Sequence, residues 1–223
     1  MQTNSQNQIM CDVIIREVEL EDVSAIKEVI TSAWEWAELV ESNKTLEALI
    51  GIYFNKVLHR GTFGRVAVLK GKVIGVVFAE IYGHTPKYRM FMDDGSDHAL
   101  ALIEATEVER NNVYEYFTKN TAYYKQLSEK AQKPYDGTLN FLVLSKEARG
   151  KDIGKLLWNT AKDYFEENGA KSIYLYTDSE CTFKFYEGTG FTRRCQQKAE
   201  FLYEGEYEVL TQFLYEYNLG KSD

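Results

Sequence analysis

The stretch Leu142-Val-Leu-Ser-Lys-Glu-Ala-Arg-Gly-Lys-Asp-Ile-Gly-Lys-Leu-Leu157 constrains this chain more than any other. A short apolar strand runs into a polar turn holding Arg149, Gly150 and Gly154, and a helix with apolar residues at helical spacing follows. In a strand–turn–helix of this kind the backbone N–H groups of the helix start face outward and can hold an anion. Gly150 and Gly154 carry no Cβ, so the backbone can approach a ligand closely there, and Arg149 adds a cation. The pattern predicts an α/β protein that binds a phosphorylated ligand. Its alternative is a strand–turn–helix whose glycines serve packing alone.

The remaining elements surround that unit. Val13–Val18 reads as a first strand, Glu19–Ile30 as a helix, and Ser32–Leu58 as a second helical stretch with Trp34, Ala37, Val40, Leu46, Leu49 and Phe54 as buried candidates. Arg65–Lys70 and Val73–Tyr82, joined at Gly71-Lys72, form a hairpin. Residues 83–137 break the strand pattern. Asp97–Gln132 is rich in helix formers, with Val113, Phe117, Tyr124 and Leu127 on one face, so one or two inserted helices are expected, closed by a turn at Pro134–Gly137. Leu139–Leu144 is the next strand, and Ile153–Asn168 the helix after the turn, with Gly169 as its C-cap. A strand at Ser172–Thr177, a short helix at Glu180–Glu187, and strands at Thr192–Tyr203 and Tyr207–Tyr217 complete the order. The predicted fold is α/β (α+β): a mixed, mostly antiparallel central sheet flanked by helices, with a helical insertion. Residues 1–12 read as a tail and 13–223 as one domain.

Composition removes several classes. At 223 residues with a formal net charge of -8, the chain is acidic, which argues against a general nucleic-acid binder and is compatible with a cationic small-molecule partner. No apolar run is long enough to cross a bilayer, and Met1–Met10 has neither the basic nor the apolar region of a secretory signal. Cys11, Cys181 and Cys195 are scattered, and His59, His84 and His98 form no ligand-spaced pair. Reduced thiols, a cytoplasmic location and no metal site are the expectation.

Two motifs then carry a resemblance. Arg149-Gly-Lys-Asp-Ile-Gly154 matches the Arg/Gln-x-x-Gly-x-Gly/Ala cofactor motif of the GCN5-related N-acetyltransferases. Phe185-Tyr-Glu-Gly-Thr-Gly-Phe191 matches the second motif, Phe-Tyr-x-x-x-Gly-Phe, in the same order and with one strand between them. The chain resembles that family from Val13 to Leu219, apart from the insertion. It departs at Asp152, where the family usually has Gly; a carboxylate there is unfavourable if it faces a pyrophosphate and favourable as an outward helix-start residue.

The resemblance implies acetyl-CoA as cofactor and transfer of its acetyl group to a primary amine by direct attack in a ternary complex. Arg149 and the N–H groups of Gly150, Lys151, Asp152, Ile153, Gly154 and Lys155 would hold the pyrophosphate. The main chain of Leu142, Val143 and Leu144 would follow the pantetheine arm, where the strand splays from Ile173–Thr177, and an N–H near Leu144 would polarise the thioester carbonyl. Tyr186 would be the general acid for the departing thiolate, since a phenol and a thiol have similar proton affinities. Glu80 is the first candidate base, with Asp178 and Glu180 behind it as turn-capping acids. Cys181 as an acyl-carrying nucleophile has no neighbouring His to support it. Trp34, Trp36, Tyr53 and Phe54, with Glu35 or Glu38, lie on the implied acceptor side, where core packing is the simpler role for most of the rings. The acceptor is a small-molecule or peptide amine, and the insertion is open as a lid, a clamp or the arm of a homodimer. The rival reading is a catalytically degenerate acyl-CoA-binding sensor or interaction module, which Asp152 favours and an intact second motif opposes.

Overall fold

The computed structural model describes residues 12–34, 36–203 and 206–220. Its strands make a mixed sheet of seven, mostly antiparallel as the sequence predicts, and the chain divides into two compact units.

The first unit takes residues up to 35, 53–93 and 139–169. Strand β1 (Val13–Glu17) pairs antiparallel with β2 (Phe63–Leu69), which pairs antiparallel with β3 (Lys72–Ile81). Lys70 and Gly71 both have positive φ, 51° and 78°, the turn geometry that matches the twist of a two-residue hairpin. β3 is buried from Val73 to Ala79. Gly75 lets strand β4 (Gly137–Leu144) pack closely: a Cβ would lie 2.4 Å from the Leu144 Cδ2 and force that side chain to shift. Helix α1 (Val23–Ala33) buries Ile26, Val29 and Ile30. Helix α5 (Ile153–Glu167) buries Ile153, Leu157, Trp158, Ala161 and Phe165, one stripe at helical period. Its Tyr164 stacks on Phe63 and donates to the Thr62 hydroxyl at 2.9 Å.

The predicted helix over Ser32–Leu58 is interrupted. Trp34 is extended, a 3-10 turn covers Trp36–Glu38, and α2 spans Asn43–Arg60. The break coincides with a contact from far along the sequence. The buried Glu109 carboxylate accepts the N–H groups of Glu41 and Ser42, and the Ser42 hydroxyl accepts from Thr45 N–H, so Ser42 acts as a cap.

The second unit takes residues 36–52, 94–138 and 170 onward. Strand β5 (Ser172–Asp178) pairs antiparallel with β7 (Glu206–Asn218), and β7 with β6 (Thr192–Tyr203). The first two residues of β4 pair in parallel with β5, Gly137 with Ile173 and Thr138 with Tyr174. The insertion therefore divides: residues up to Asp93 belong to the first unit, and two helices, α3 (Ser96–Glu104) and α4 (Glu107–Ala131), to the second. Thr106 and Glu109 start α4 as a capping box. α4 lies on β6 and β7, where Leu127 and Ala131 meet Leu214, and its Tyr124 stacks on Tyr176 of β5 with ring centroids 4.1 Å apart. Val113 and Leu127 are buried as their spacing predicted, and the sheet-facing row is completed by Tyr116 and Tyr123 against Phe201.

The predicted helix at Glu180–Glu187 is shorter in the structure. Asp178 Oδ1 accepts the N–H groups of Glu180 and Cys181, an Asx turn that holds the chain out of helix until α6 (Lys184–Gly188). Glu204 and Gly205, the expected turn of the last hairpin, lie outside the described residues, as do Met1–Cys11.

Candidate active site

In the first unit β4 closes onto β3 through Ser145 N–H to the Ile74 carbonyl, and the chain turns through Gly150 (φ 73°) and Asp152 (φ 57°) into α5. The first rung of the helix is Leu156 N–H to Asp152 O at 3.1 Å, so the N–H groups of Ile153, Gly154 and Lys155 precede the ladder. Alternating backbone hands of this kind turn successive N–H groups toward one concavity, an anion-binding nest at the positive end of a helix. Ile153 and Gly154 are buried, while Arg149, Gly150, Asp152 and Lys155 are exposed and Lys151 is half-buried.

Asp152 occupies a left-handed backbone position, which is where glycine is otherwise at home and which Asp tolerates better than most residues. Its side chain caps nothing. It pairs with Lys155 at 3.1 Å, both side chains being 59% exposed. Arg149 donates from Nη2 to the Ala33 carbonyl at the end of α1, 3.1 Å away, so its guanidinium ties the loop to α1. The side chains of Leu142 and Leu144 are half-buried and that of Val143 is buried.

Glu80 lies at the far end of β3. Its side chain is 14% exposed, its Oε2 is 2.9 Å from Arg60 Nε, and Asn140 Nδ2 of β4 stands 3.5 Å from the same oxygen. Nothing local in the sequence announced these partners: Arg60 ends a helix and Asn140 sits inside an apolar strand. Trp34, Tyr53 and Phe141 form one aromatic group in this unit, with centroids 5.1 to 6.0 Å apart. Phe54 is fully buried against Phe78, and Trp36 is buried in the second unit against Tyr116, so both are core. Glu35 and the Glu38 side chain lie outside the described residues.

In the second unit Tyr186 is half-buried on α6, beside Phe185, Phe191 and Tyr215. Its carbonyl accepts Phe191 N–H at 3.0 Å, which closes the second motif. A network the sequence did not reveal holds this motif: Tyr215 donates to Glu187 Oε1 at 2.7 Å, Arg193 reaches the same oxygen at 2.7 Å, and its guanidinium lies 4.2 Å from the Phe213 centroid. Burial raises the Asp178 pKa, against the N–H groups it accepts. Cys181 is an exposed residue, yet its sulfur is crowded by protein, and this desolvation together with the Asp178 charge pushes the thiol up to about 12. A thiol so protonated is a poor nucleophile. Among the described residues no His, Cys, Asp and Glu group could hold a metal, and no helix is long and apolar enough to cross a membrane.

A nest of N–H groups at a helix start, following a strand of an α/β protein, is a place where a phosphorylated ligand can be held. The acetyltransferase (GNAT) family profile matches residues 24–191, most of the chain, and the chain belongs to that family of acetyl-CoA-dependent N-acetyltransferases. Solved structures share the fold. The PaiA N-acetyltransferase of Thermoplasma acidophilum in complex with coenzyme A is 17% identical, over 92% of this chain and 98% of that one, with a TM-score of 0.53. The phosphinothricin acetyltransferase of Sinorhizobium meliloti in complex with acetyl-CoA is also 17% identical, over 95% and 90%, TM-score 0.53. The ribosomal-protein-S18-alanine N-acetyltransferase of Escherichia coli is 10% identical, over 95% and 96%, TM-score 0.52. No curated protein sequence matches the chain significantly.

Proposed function

We propose that this protein moves the acetyl group of acetyl-CoA to a primary amine by direct attack in a ternary complex. The observation that carries the reading is the nest: Gly150 and Asp152 with positive φ, followed by the unladdered N–H groups of Ile153, Gly154 and Lys155. These groups would bind the pyrophosphate, with Lys151 and Lys155 supplying positive charge. Arg149, tied to the Ala33 carbonyl, would shape the loop as well as counter phosphate charge. The main chain of Leu142, Val143 and Leu144 would guide the pantetheine arm. Bound acetyl-CoA supplies an acyl group activated as a thioester.

Glu80 would take the proton that the acceptor ammonium must lose, directly or through water. An N–H near Leu144 would polarise the acyl carbonyl, and Tyr186 would return a proton to the departing thiolate. The raised thiol of Cys181 favours direct transfer over an acyl-enzyme. Asp152 does not disable the nest, since its backbone supplies the turn that glycine would and its carboxylate is paired with Lys155. The similar structures carry different acceptors in their names, so the fold does not choose one.

Calorimetric titration with acetyl-CoA and with CoA tests the first half. Micromolar, saturable binding is expected, and its absence would sink the reading. A release assay for free CoA over a panel of amines tests the second half, and binding without turnover on any amine would leave a sensor.

A further inference from the structure

Helix α6 carries Tyr186 and is five residues long, too short to hold its own shape. One side chain of a neighbouring strand holds it on both sides of that residue. The guanidinium of Arg193, on β6, stands 5.5 Å from the ring centroid of Phe183, the N-cap of α6. Its Nη2 donates at 2.7 Å to Oε1 of Glu187, the residue after Tyr186. Its Nε donates to the Tyr215 hydroxyl at 3.0 Å, and that hydroxyl donates to the same Glu187 oxygen at 2.7 Å. The three groups close a ring: the Tyr215 oxygen accepts from Arg193 and gives its one proton to the carboxylate. Nη1 donates to Gln196 Oε1 at 3.1 Å, and the guanidinium lies over the Phe213 ring.

The backbone aims this side chain. Arg193 stands opposite Tyr215 and Cys195 opposite Leu214, so Arg194 is the extra residue of a β-bulge. Residues two apart in a regular strand share a face. Here they do not: Cys195 packs beneath α4 with Leu127 and Leu214, while Arg193 lies on the other side of the hairpin with Phe213 and Tyr215. In regular register Arg194 would stand opposite Tyr215, and Arg193 would face α4 instead of α6.

We propose that Arg193 is the positioning residue for Tyr186: by bridging Phe183 and Glu187 from a bulged strand it fixes α6, and with it the phenol that would meet the departing thiolate. This rests on the reading of Tyr186 as the general acid. The Tyr215 hydroxyl first, with Arg193 behind it, lowers the Glu187 pKa, so the carboxylate that closes the ring is ionised at neutral pH. Placement matters at this step because the proton donor must come within hydrogen-bond reach, and a displacement of about 1 Å can cost on the order of a hundredfold in rate. Gln at this position would lose the charge and the fork. Lys would keep the charge but not the planar fork that serves Glu187 and Tyr215 together.

Arg193→Gln in the full chain should lower kcat about tenfold or more and leave the CoA Kd within about twofold, since the nest belongs to the first unit. Arg193→Lys should fall between it and wild type. The deciding measurement is the double substitution: on top of Tyr186→Phe, Arg193→Gln should cost less than about twofold in kcat, because the group it places is gone. A merely structural role would cost the same in both backgrounds. Placement is read without turnover by fluorine NMR of fluorotyrosine-labelled protein, the Tyr186 signal being the one lost in Tyr186→Phe. That signal should move in Arg193→Gln and stay in Leu127→Ala, a control that weakens the second unit beneath α4. An unmoved Tyr186 signal, or equal losses of kcat in both backgrounds, would overturn the proposal. If Tyr186→Phe is itself fully active and the signal still moves in Arg193→Gln, the positioning stands and the general-acid reading falls. Should Arg193→Gln fail to fold, Arg193→Lys gives both readings and is judged by the same outcomes.

Discussion

Replacing Asp152 by Gly separates what the backbone needs at this position from what the carboxylate does. An L-residue in the left-handed region costs roughly 1–2 kcal/mol relative to its ordinary conformation, with Asp at the low end, so Gly recovers about 1 kcal/mol. The greater freedom of Gly in the unfolded chain takes back about 0.5–1 kcal/mol. The exposed pair with Lys155 contributes no more than about 0.3 kcal/mol. Stability should therefore change by less than about 0.5 kcal/mol, or about 2 °C in melting temperature for a chain of this size. A capping carboxylate would instead cost about 1–2 kcal/mol on removal. Binding should move more. If the carboxylate stands on the order of 7 Å from a dianionic pyrophosphate, it opposes it by roughly 1 kcal/mol in water, and physiological salt screens this to about half. Asp152→Gly should thus tighten CoA about two- to fivefold, and the gain should shrink as salt rises. Calorimetry at two salt concentrations, with urea unfolding alongside, reads both terms. A stability loss above about 1 kcal/mol would refute the backbone argument. Unchanged or weaker CoA binding would refute the electrostatic one.

Four further outcomes follow from individual residues. Tyr186→Phe should lower kcat by about a hundredfold or more while leaving the CoA Kd within about twofold, and equal activity would remove the phenol from the reaction. Cys181→Ser should keep near wild-type turnover, and Cys181 should alkylate slowly at neutral pH, because its thiol is pushed up to about 12. Asp22 accepts Arg16 at 2.6 and 2.7 Å and Glu19 N–H at 2.9 Å; these outweigh the burial that opposes its charge and lower its pKa. A folded pKa below the unfolded one gives stability that is fully present above about pH 4 and lost as pH falls through the lower folded value; Asp22→Asn should remove it, at a cost of about 2–3 kcal/mol in urea unfolding at neutral pH. Leu127→Ala should cost about 2–4 kcal/mol, because Leu127 is fully buried where α4 meets β7, whereas a helix serving only as a mobile lid would lose almost nothing.

What the sequence made legible was local. The hairpin at Lys70-Gly71 and the stripe Ile153, Leu157, Ala161 and Phe165 each depend on residues a few positions apart, and their boundaries fell within a few residues of the observed ones. The break between Trp34 and Asn43 was hidden because its cause, the Glu109 carboxylate, is distant in sequence. Asp152 looked like a departure from a pattern of residue types. In the structure its φ is 57°, a backbone that glycine adopts freely and that Asp adopts at modest cost. The Arg60–Glu80 pair was hidden for a third reason: a charged residue at a strand end and one at a helix end look solvated until the chain brings them together.

The second motif illustrates how a short helix can place one side chain firmly. α6 is too short to be stable by its own hydrogen bonds. Its start is fixed by Asp178, whose Oδ1 holds two N–H groups of the preceding turn, and its end by Phe191 N–H returning to the Tyr186 carbonyl. Between them Glu187 is held by both Tyr215 and Arg193, which belong to β7 and β6, and Arg193 is itself layered on Phe213. Tyr186 thus receives its position from neighbours on two strands. Removing its hydroxyl should leave the backbone hydrogen bonds of the motif standing, since these run through Asp178 Oδ1 and the Tyr186 carbonyl. Loss of Arg193 would instead strip Glu187 and Tyr215 of a shared partner and loosen the helix that carries Tyr186, so the two substitutions perturb the same residue through different physics: one its chemistry, the other its place.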